Sequence, residues 1–430
     1  MNTGDMHKYD RSSIMKPDIT VVGGGAAGML ASSIAAKGGA NVLLIERNDT
    51  LGRKLCITGK GRCNLTNNCS VAQVLENIPT GSQFLHSAIN GFMPCDVMSF
   101  FETLGVSLKT ERGGRVFPLS NRASDVADAL RRNIRIAGVH VNRGRAIGLI
   151  AKNGRICAVK SSSGTIITSA VILATGGMSY PDTGSTGDGY KMASALGHTV
   201  TPLRGSLVPL VAAPELCSRM QGLTLKNVRL SVYDGSKKPI FEDFGELLFT
   251  HFGISGPLVL SASAHMRDFG NRKYYALIDL KPALDENKLD LRILRDFGNY
   301  SNRDYSNALG DLLSAMMIPV IIEKSGIPPR TKTHSISRDQ RLGLVRLLKS
   351  FRIDIDRPRP VEEAIVTSGG VDLREVNPKT MESKLVKGLY FAGETLDVDA
   401  YTGGYNLQIA WSTAVAAARA AVQSVNVINE

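Results

Sequence analysis

The 430-residue chain holds six cysteines (Cys56, Cys63, Cys69, Cys95, Cys157 and Cys217), yet no CxxC pair and no metal-ligand spacing. That excludes a zinc ribbon or a thioredoxin-type dithiol and leaves reduced, partly buried thiols as the expectation. No apolar run approaches the ~20 residues that span a bilayer. Met1 to Lys16 is polar and mixed in charge, without the apolar centre of a secretory signal. A disordered extension over 1–16 and a cytoplasmic protein without membrane contact are therefore expected. Aromatic residues are few, 6% with a single tryptophan, and acids are outnumbered: 39 Asp and Glu against 51 Lys and Arg, a net charge of +12. The excess is uneven, since 330–359 carries nine cations and three acids (Asp339, Asp354, Asp356). Such a run can attract an anionic substrate, nucleic acid or a membrane surface. Only Phe351 is at hand there for base stacking, so a solvated helix face is the better account and nucleic acid is not the expected partner. What remains, 43% hydrophobic and 21% charged residues, is ordinary for a soluble enzyme of two or three domains.

What the chain does have is a dinucleotide signature. An apolar run from Ile19 to Val22 meets Gly23-Gly24-Gly25-Ala26-Ala27-Gly28. An Ala-rich stretch follows to Lys37, and a second apolar run from Asn41 to Ile45 ends on Glu46. Strand, tight turn, helix, strand, acid is the order of a nucleotide-binding βαβ unit. Gly23 permits the sharp turn, Gly25 lets backbone approach a pyrophosphate, and Gly28 lets the helix lie close to the sheet. The helix start presents free N–H groups to phosphate. Glu46 suits the hydroxyls of an unphosphorylated ribose, which both FAD and NAD possess.

Further along, Gly52 to Asn67 reads as a basic, glycine-rich loop able to wrap phosphate and ring edges. Helical spacing runs from Val71 to Gly105, and Ser124 is a plausible cap for a helix over 125–136. Val139 to Val141 is a short strand, and 147–168 a β-meander. Ala170 to Ala174 is a buried parallel strand ending in Thr175-Gly176-Gly177. A glycine-rich loop (180–189) and a helix over 190–196 follow. From Pro202 the pattern becomes short strands (208–210, 223–233, 240–241, 246–250), then helices over 285–297, 303–317 and 337–349, with a return strand at 351–355 or 363–367. The end of the chain is nucleotide-like again: an apolar run to Gly393-Glu394, then Asp397, Tyr401, Gly403-Gly404 and an Ala-rich helix from Leu407 to about Val422.

The blocks Gly23–Gly28, 59–67 (GKGRCNLTN), 174–177 (ATGG), 249–257 (FTHFGISGP) and 393–410 stand together in an order that resembles the BaiN-like, aminoacetone-oxidase-like flavoproteins from Lys16 to about Val422. The resemblance implies an α/β fold. It would be a Rossmann-like FAD domain of the glutathione-reductase type (17–200 and 366–430), split by an inserted domain (201–365) in which an antiparallel β-barrel carries a helical part at about 283–350. It implies non-covalent FAD contacted by Gly23, Gly25, Ala26, Ala27, Gly28, Glu46, Arg47, Arg53, Lys54, Gly61, Arg62 and Cys63. Val141 would reach adenine and Thr175 and Gly176 would flank the nucleotide. Gly393, Glu394 and Asp397 would serve the pyrophosphate–ribityl part, and Gly404, Asn406, Leu407 and Gln408 the isoalloxazine.

An FAD-dependent oxidoreductase moving hydride between flavin N5 and a small organic substrate, bound between the two domains, is the leading reading. An amine oxidase that uses oxygen and an RNA-associated flavoprotein are the alternatives. No second Gly-x-Gly-x-x-Gly follows a strand, so NAD(P)H would dock transiently. His251, Tyr180 and Tyr401 are the candidate acid/base groups. His251 fits a structural histidine as well, and Cys63 reads as a packing or cofactor contact.

Overall fold

Ile19–Val22 forms the first strand (β1) and is buried at every position, as a strand covered on both faces must be. The computed structural model describes residues 16–429, so the expected extension lies, but for Lys16, outside the described residues. Two compact units emerge. Unit 1 combines the chain up to Leu203 with the chain from Ser368, and unit 2 is Arg204–Thr367.

In unit 1 β1 leads into α1 (Ala26–Lys37), whose strong helix formers bury Met29, Leu30, Ala31 and Ala35. β2 (Val42–Glu46) follows, then α2 (Arg53–Gly61). The 52–67 segment is thus not the continuous loop expected. Its first turn is helical and breaks at Thr58–Lys60, where Gly59 and Lys60 take left-handed angles. After β3 (Thr66–Asn67) come α3 (Val71–Glu76), α4 (Ser82–Gly91) and α5 (Pro94–Thr103). β4 (Leu108–Thr110) and β5 (Arg115–Pro118) then complete a small sheet with β3. α6 (Ala123–Ile136) starts two residues earlier than Ser124 would set, with Arg122 at its cap position. β6 (His140–Arg143), the meander β7 (Ala146–Lys152), β8 (Arg155–Ser161) and β9 (Gly164–Ile167), then β10 (Ala170–Leu173) and α7 (Asp188–Ser194) end this part.

Unit 2 runs β11 (Arg204–Ser206), β12 (Leu210–Ala212), α8 (Pro214–Ser218), β13 (Thr224–Tyr233), β14 (Phe241–Thr250), β15 (Gly253–Ser255), α9 (Pro257–Ser263) and β16 (Tyr274–Asp279). α10 (Glu286–Asn299), α11 (Ile318–Ser325) and α12 (Arg338–Lys349) follow, and β17 (Phe351–Pro358) and β18 (Val366–Ser368) close it. The order β12-β15-β14-β13-β16-β17 makes a closed barrel, and β11 pairs with β18. Two expectations change. Residues 241–250 form one strand rather than two: pairing with β13 continues through the exposed Glu242, Asp243 and Phe244, while Phe241, Leu247 and Phe249 are buried in the barrel core. No α-helix spans 303–317. That stretch is a 3-10 turn at Tyr305–Asn307 followed by further turns, with Gly310 between two apolar clusters. Tyr305, Leu309, Leu312 and Leu313 are buried, so the i, i+4 spacing arises from turns. The helix forms only at α11, where Pro319 sits in the first turn and gives up no needed N–H.

The chain re-enters unit 1 with β19 (Leu389–Phe391) and ends in the long α13 (Tyr405–Asn429). The central sheet has the order β19-β10-β1-β2-β6, and every pairing in it is parallel. α1 and α13 pack against each other beside it, with Trp411 wholly buried. Parallel strands deliver all five carboxyl ends to one edge, which is where open α/β sheets bind ligands.

Candidate functional site

At that edge the first turn behaves as its residue types require. Gly23 has φ +104, and a Cβ there would lie 2.5 Å from the Ala174 carbonyl oxygen of the next strand. A Cβ on Gly28 would overlap the Gly23 carbonyl, so helix and strand approach only as glycines. Gly25 is different: nothing lies within 4 Å of where its Cβ would be. Backbone N–H groups at the start of α1 thus border open space.

Glu46 ends β2, buried to 8% exposure. One carboxylate oxygen accepts from the Gly24 N–H at 2.6 Å. The other accepts from the Asn48 N–H (2.8 Å) and the Asn48 amide (2.7 Å). The acid is locked in place with a lone pair to spare, as a ribose hydroxyl needs. Asn48 also donates to the Thr183 carbonyl at 3.0 Å and accepts from Arg53 at 3.1 Å. Arg53 therefore serves Asn48. Arg47 binds Thr186 (2.6 Å) and Asp188 (3.3 Å), and Arg145 grips Asp188 through two contacts of 2.8 Å. Burial works against the Asp188 charge, but Arg145 and Arg47 hold its carboxyl below the usual range. Val141, 43% exposed, lies on β6 at this margin, paired with Leu44.

Lys54 reaches across the edge to Ser179 (2.7 Å) and Glu394 (2.8 Å), and Ser179 donates to Glu394 at 3.2 Å. Tyr190 donates to the Glu394 carbonyl at 2.8 Å, and burial, reinforced by Glu394 and Asp397, pushes its phenol well above the ordinary value. The Asp397 carboxylate meets no donor among the described residues. Arg62 goes elsewhere: its guanidinium lies 4.1 Å over the Phe117 ring and pairs with Glu111 and Asn121. Cys63 is fully buried and its thiol is pushed up to about 12 by burial, so it is inert at neutral pH. Gly61 is exposed, with open space around it.

The start of α13 is the second glycine turn. Gly404 (φ +101) sits against the Thr66 backbone, where a Cβ would overlap Thr66. Asn406 spends its side chain on the Ala400 N–H and on the carbonyls of Ala400 and Tyr401. Gln408 is wholly buried: it accepts from Thr66 at 2.5 Å and donates to Phe92 and Ser412. These two side chains thus hold the turn, and what the helix start offers a ligand is backbone N–H groups of 405–407. Gly393 (φ +67) begins the 3-10 turn carrying Glu394, and Thr175 and Gly176 (φ +73) follow β10.

Of the acid/base candidates, Tyr401 is half-buried on the turn before α13, with its N–H on Asn77. Tyr180 is 37% exposed with a left-handed backbone (φ +53). His251 belongs to unit 2, exposed on the β14–β15 turn and edge-on to Phe252, whose ring faces Arg359 at 4.7 Å. Tyr180 and Tyr401 share unit 1, and His251 stands in the other unit.

Sequence reasoning missed Asn48, Ser179, Tyr190, the Arg145–Asp188 pair and a buried chain in which Glu375 meets His198 (3.1 Å) and His198 meets Ser383 (2.8 Å). Only Asn48, two residues past the acid, carried a local signal. The basic run also changes character: Lys332, Arg341, Lys349, Arg352 and Arg359 are ion-paired, three of them to acids outside 330–359 other than Glu363.

These features fit a flavin dinucleotide. The space before Gly25 matches a pyrophosphate, and the buried Thr175, Thr395 and Asn64 oxygens at or near this edge have no protein partner. Among the described residues no group of three His, Cys, Asp or Glu could hold a metal, and no helix is long and apolar enough to cross a membrane.

Residues 17–420 match the family model described as HI0933-like protein Rossmann domain. A 3-dehydro-bile acid delta(4,6)-reductase of Clostridium scindens is 30% identical over 94% of this chain and 99% of its own. A ribosomal RNA dihydrouridine synthase of Escherichia coli is 31% identical over 94% of this chain and 97% of its own, and one from Haemophilus influenzae is 30% identical. Among solved structures, a 3-ketosteroid delta1-dehydrogenase of Sterolibacterium denitrificans matches with a TM-score of 0.53 at 14% identity, over 95% of this chain and 99% of that one. That likeness speaks for the fold.

Proposed function

The chain belongs to the HI0933-like Rossmann family of FAD-dependent oxidoreductases, and from that premise we propose that it reduces a carbon–carbon double bond conjugated to a carbonyl, with the uracil ring of an RNA as its substrate. The observation that carries this is what the full-length relatives share. Making dihydrouridine saturates the C5–C6 bond next to the C4 carbonyl. The bile-acid enzyme is named for double bonds in a 3-oxo ring system. RNA is favoured over a bile acid because two of these relatives act on ribosomal RNA and because a net charge of +12 attracts a polyanion. This sets aside the expectation, drawn from aromatic-poor 330–359, that nucleic acid is not a partner.

When bound, the flavin supplies the two electrons as a hydride. The protein's part is to hold and to protonate. Gly23, Gly25, Gly28 and the first amides of α1 would seat the pyrophosphate, and Glu46 would accept from the adenosine ribose. Lys54 neutralises Glu394 and so orients it toward hydroxyl donors. The N–H groups of 405–407 and the positive end of α13 would hold the ring and favour its negative reduced form. Tyr401, half-buried on that turn, gives the proton to the carbon beside the carbonyl. The electrons would come from NAD(P)H, for which the chain has no second Gly-x-Gly-x-x-Gly turn.

The test is to incubate the yellow protein with NAD(P)H and ribosomal RNA lacking dihydrouridine, then digest and count dihydrouridine by mass spectrometry. Dihydrouridine dependent on flavin and NAD(P)H supports the reading. Its absence, with anaerobic flavin reoxidation by a steroid dienone instead, moves the substrate to the small-molecule class. Reduction by amines and fast reoxidation in air would make the protein an oxidase.

A further inference from the structure

Alternation along the barrel strands decides which side chains face outward. β13 buries Val228, Leu230 and Val232, β16 buries Tyr274, Ala276 and Ile278, and β17 buries Phe351, Ile353 and Ile355. The residues between them stand on the outer face. Register sets Tyr233 opposite Tyr275, with ring planes 8° apart and centroids at 5.1 Å. The next strand adds Arg352, whose guanidinium lies 4.0 Å over the Tyr275 ring. Asp354 holds it there through contacts of 2.7 and 3.0 Å, yet the Arg352 side chain remains 56% exposed. Three flat π groups from three strands thus form one stack, open to solvent at the guanidinium.

Cations surround one end of this stack. Lys237 and Lys238 occupy the turn just after Tyr233, and Lys273 precedes the strand of Tyr275. All three are exposed, and among the described residues none is paired with a carboxylate. The neighbouring Arg272 and Asp234 neutralise each other. Planar groups for bases beside unneutralised ammonium groups for phosphates are the complement of single-stranded nucleic acid. A duplex keeps its bases inside, and an acidic protein would use the lysines without needing the stack.

We propose that this outer face, Tyr233–Tyr275–Arg352 with Lys237, Lys238 and Lys273, docks a single-stranded RNA segment by stacking its unpaired bases. The surface deepens the reading of the protein as an RNA reductase and rests on it. Bases stack on the Arg352 plane and the tyrosine edges while the lysines track the backbone.

The test uses the full-length yellow protein and fluorescein-labelled RNA of equal length, single-stranded and duplex, with anisotropy read from about 50 to 300 mM KCl, and dihydrouridine formation in ribosomal RNA measured alongside. Wild type is expected to prefer the single strand. Tyr275→Ala with Arg352→Ala should weaken that binding about tenfold or more, with the flavin spectrum intact. Tyr275→Phe with Arg352 retained should restore it, which separates stacking from barrel stability. Lys237→Gln with Lys238→Gln should lower the slope of log affinity against log salt by roughly 1.4. If the double alanine variant stays folded and binds as wild type does while wild type still makes dihydrouridine, the platform is wrong and the function stands. If wild type neither binds the single strand at the lowest salt nor makes dihydrouridine, both fall together. Preference for duplex over single strand in the wild type also overturns the platform.

Discussion

Two helices of unit 1, α1 and α13, each begin just after consecutive glycines, three before α1 and two before α13, and the last glycine of each run has the opposite purpose. Gly25 faces nothing within 4 Å, whereas Gly404 presses on the Thr66 backbone. Gly25 has φ −78 and ψ −165, an extended conformation that alanine also adopts, whereas Gly404 at φ +101 excludes it. The first glycine leaves room for something that is not protein; the second lets the chain pass itself. A glycine motif before a helix is therefore ambiguous until one knows what stands in front of it.

The contrast can be broken most forcefully at Gly404. Gly404→Ala forces both a backbone conformation and a clash with Thr66, and a loss of about 3 kcal/mol or more is expected. A fall of several degrees in apoprotein Tm by calorimetry is the check, and an unchanged Tm would erase the distinction. Gly25→Ala should act the other way round. Apoprotein stability holds or rises by about 0.4–1 kcal/mol, while FAD titrated into apoprotein binds about tenfold more weakly, since a methyl forced into a filled site costs about 1–3 kcal/mol. Equal FAD affinity in the variant would mean that the space before Gly25 is not the pyrophosphate seat.

The smallest effect lies away from both turns, at His198, whose side chain is completely buried between Glu375 and Ser383. Burial, partly offset by Glu375, holds its pKa below the ordinary 6.5. The folded state thus binds this proton less well than the unfolded chain does. Its contribution is complete above about pH 6.5 and is lost as pH falls from there through the folded value. Urea unfolding from pH 7.5 to 5 should show that decline in wild type and a flatter profile in His198→Gln. Equal slopes would mean that the fold leaves the proton affinity of His198 as it is in the unfolded chain.

How far this was legible depends on how local each cause is. β1, the first glycine turn, α1 and Glu46 lie within 28 consecutive residues, so period, turn chemistry and acid could be read directly. That unit alone fits NAD as well as FAD; the family became readable through motif blocks spread from Gly23 to Ala410. Arg62 was placed along the cofactor by the family resemblance; its contacts with Phe117 and Glu111, some 50 residues away, are ones that no local pattern announces. Gln408 carries a polar side chain at a helix start, and only the fold shows that Thr66, Phe92 and Ser412 occupy it. β14 was split because Glu242-Asp243 interrupts its apolar run, and only the pairing with β13 shows that the strand continues through them. The Tyr233–Tyr275–Arg352 stack was invisible from 330–359 alone, since two of its three members come from other strands.

The chain leaves unit 1 at Leu203 and rejoins it at Ser368, and the strands at these crossings, β11 and β18, are bonded to one another; Val200, just before β11, pairs with Val371, just after β18. Departure and return share one stem. Everything hung from such a stem is removable in principle, the stump closing with a hairpin loop of about two to five residues. The same stem is a natural splice point, where a lineage could exchange one recognition module for another and leave the nucleotide half undisturbed.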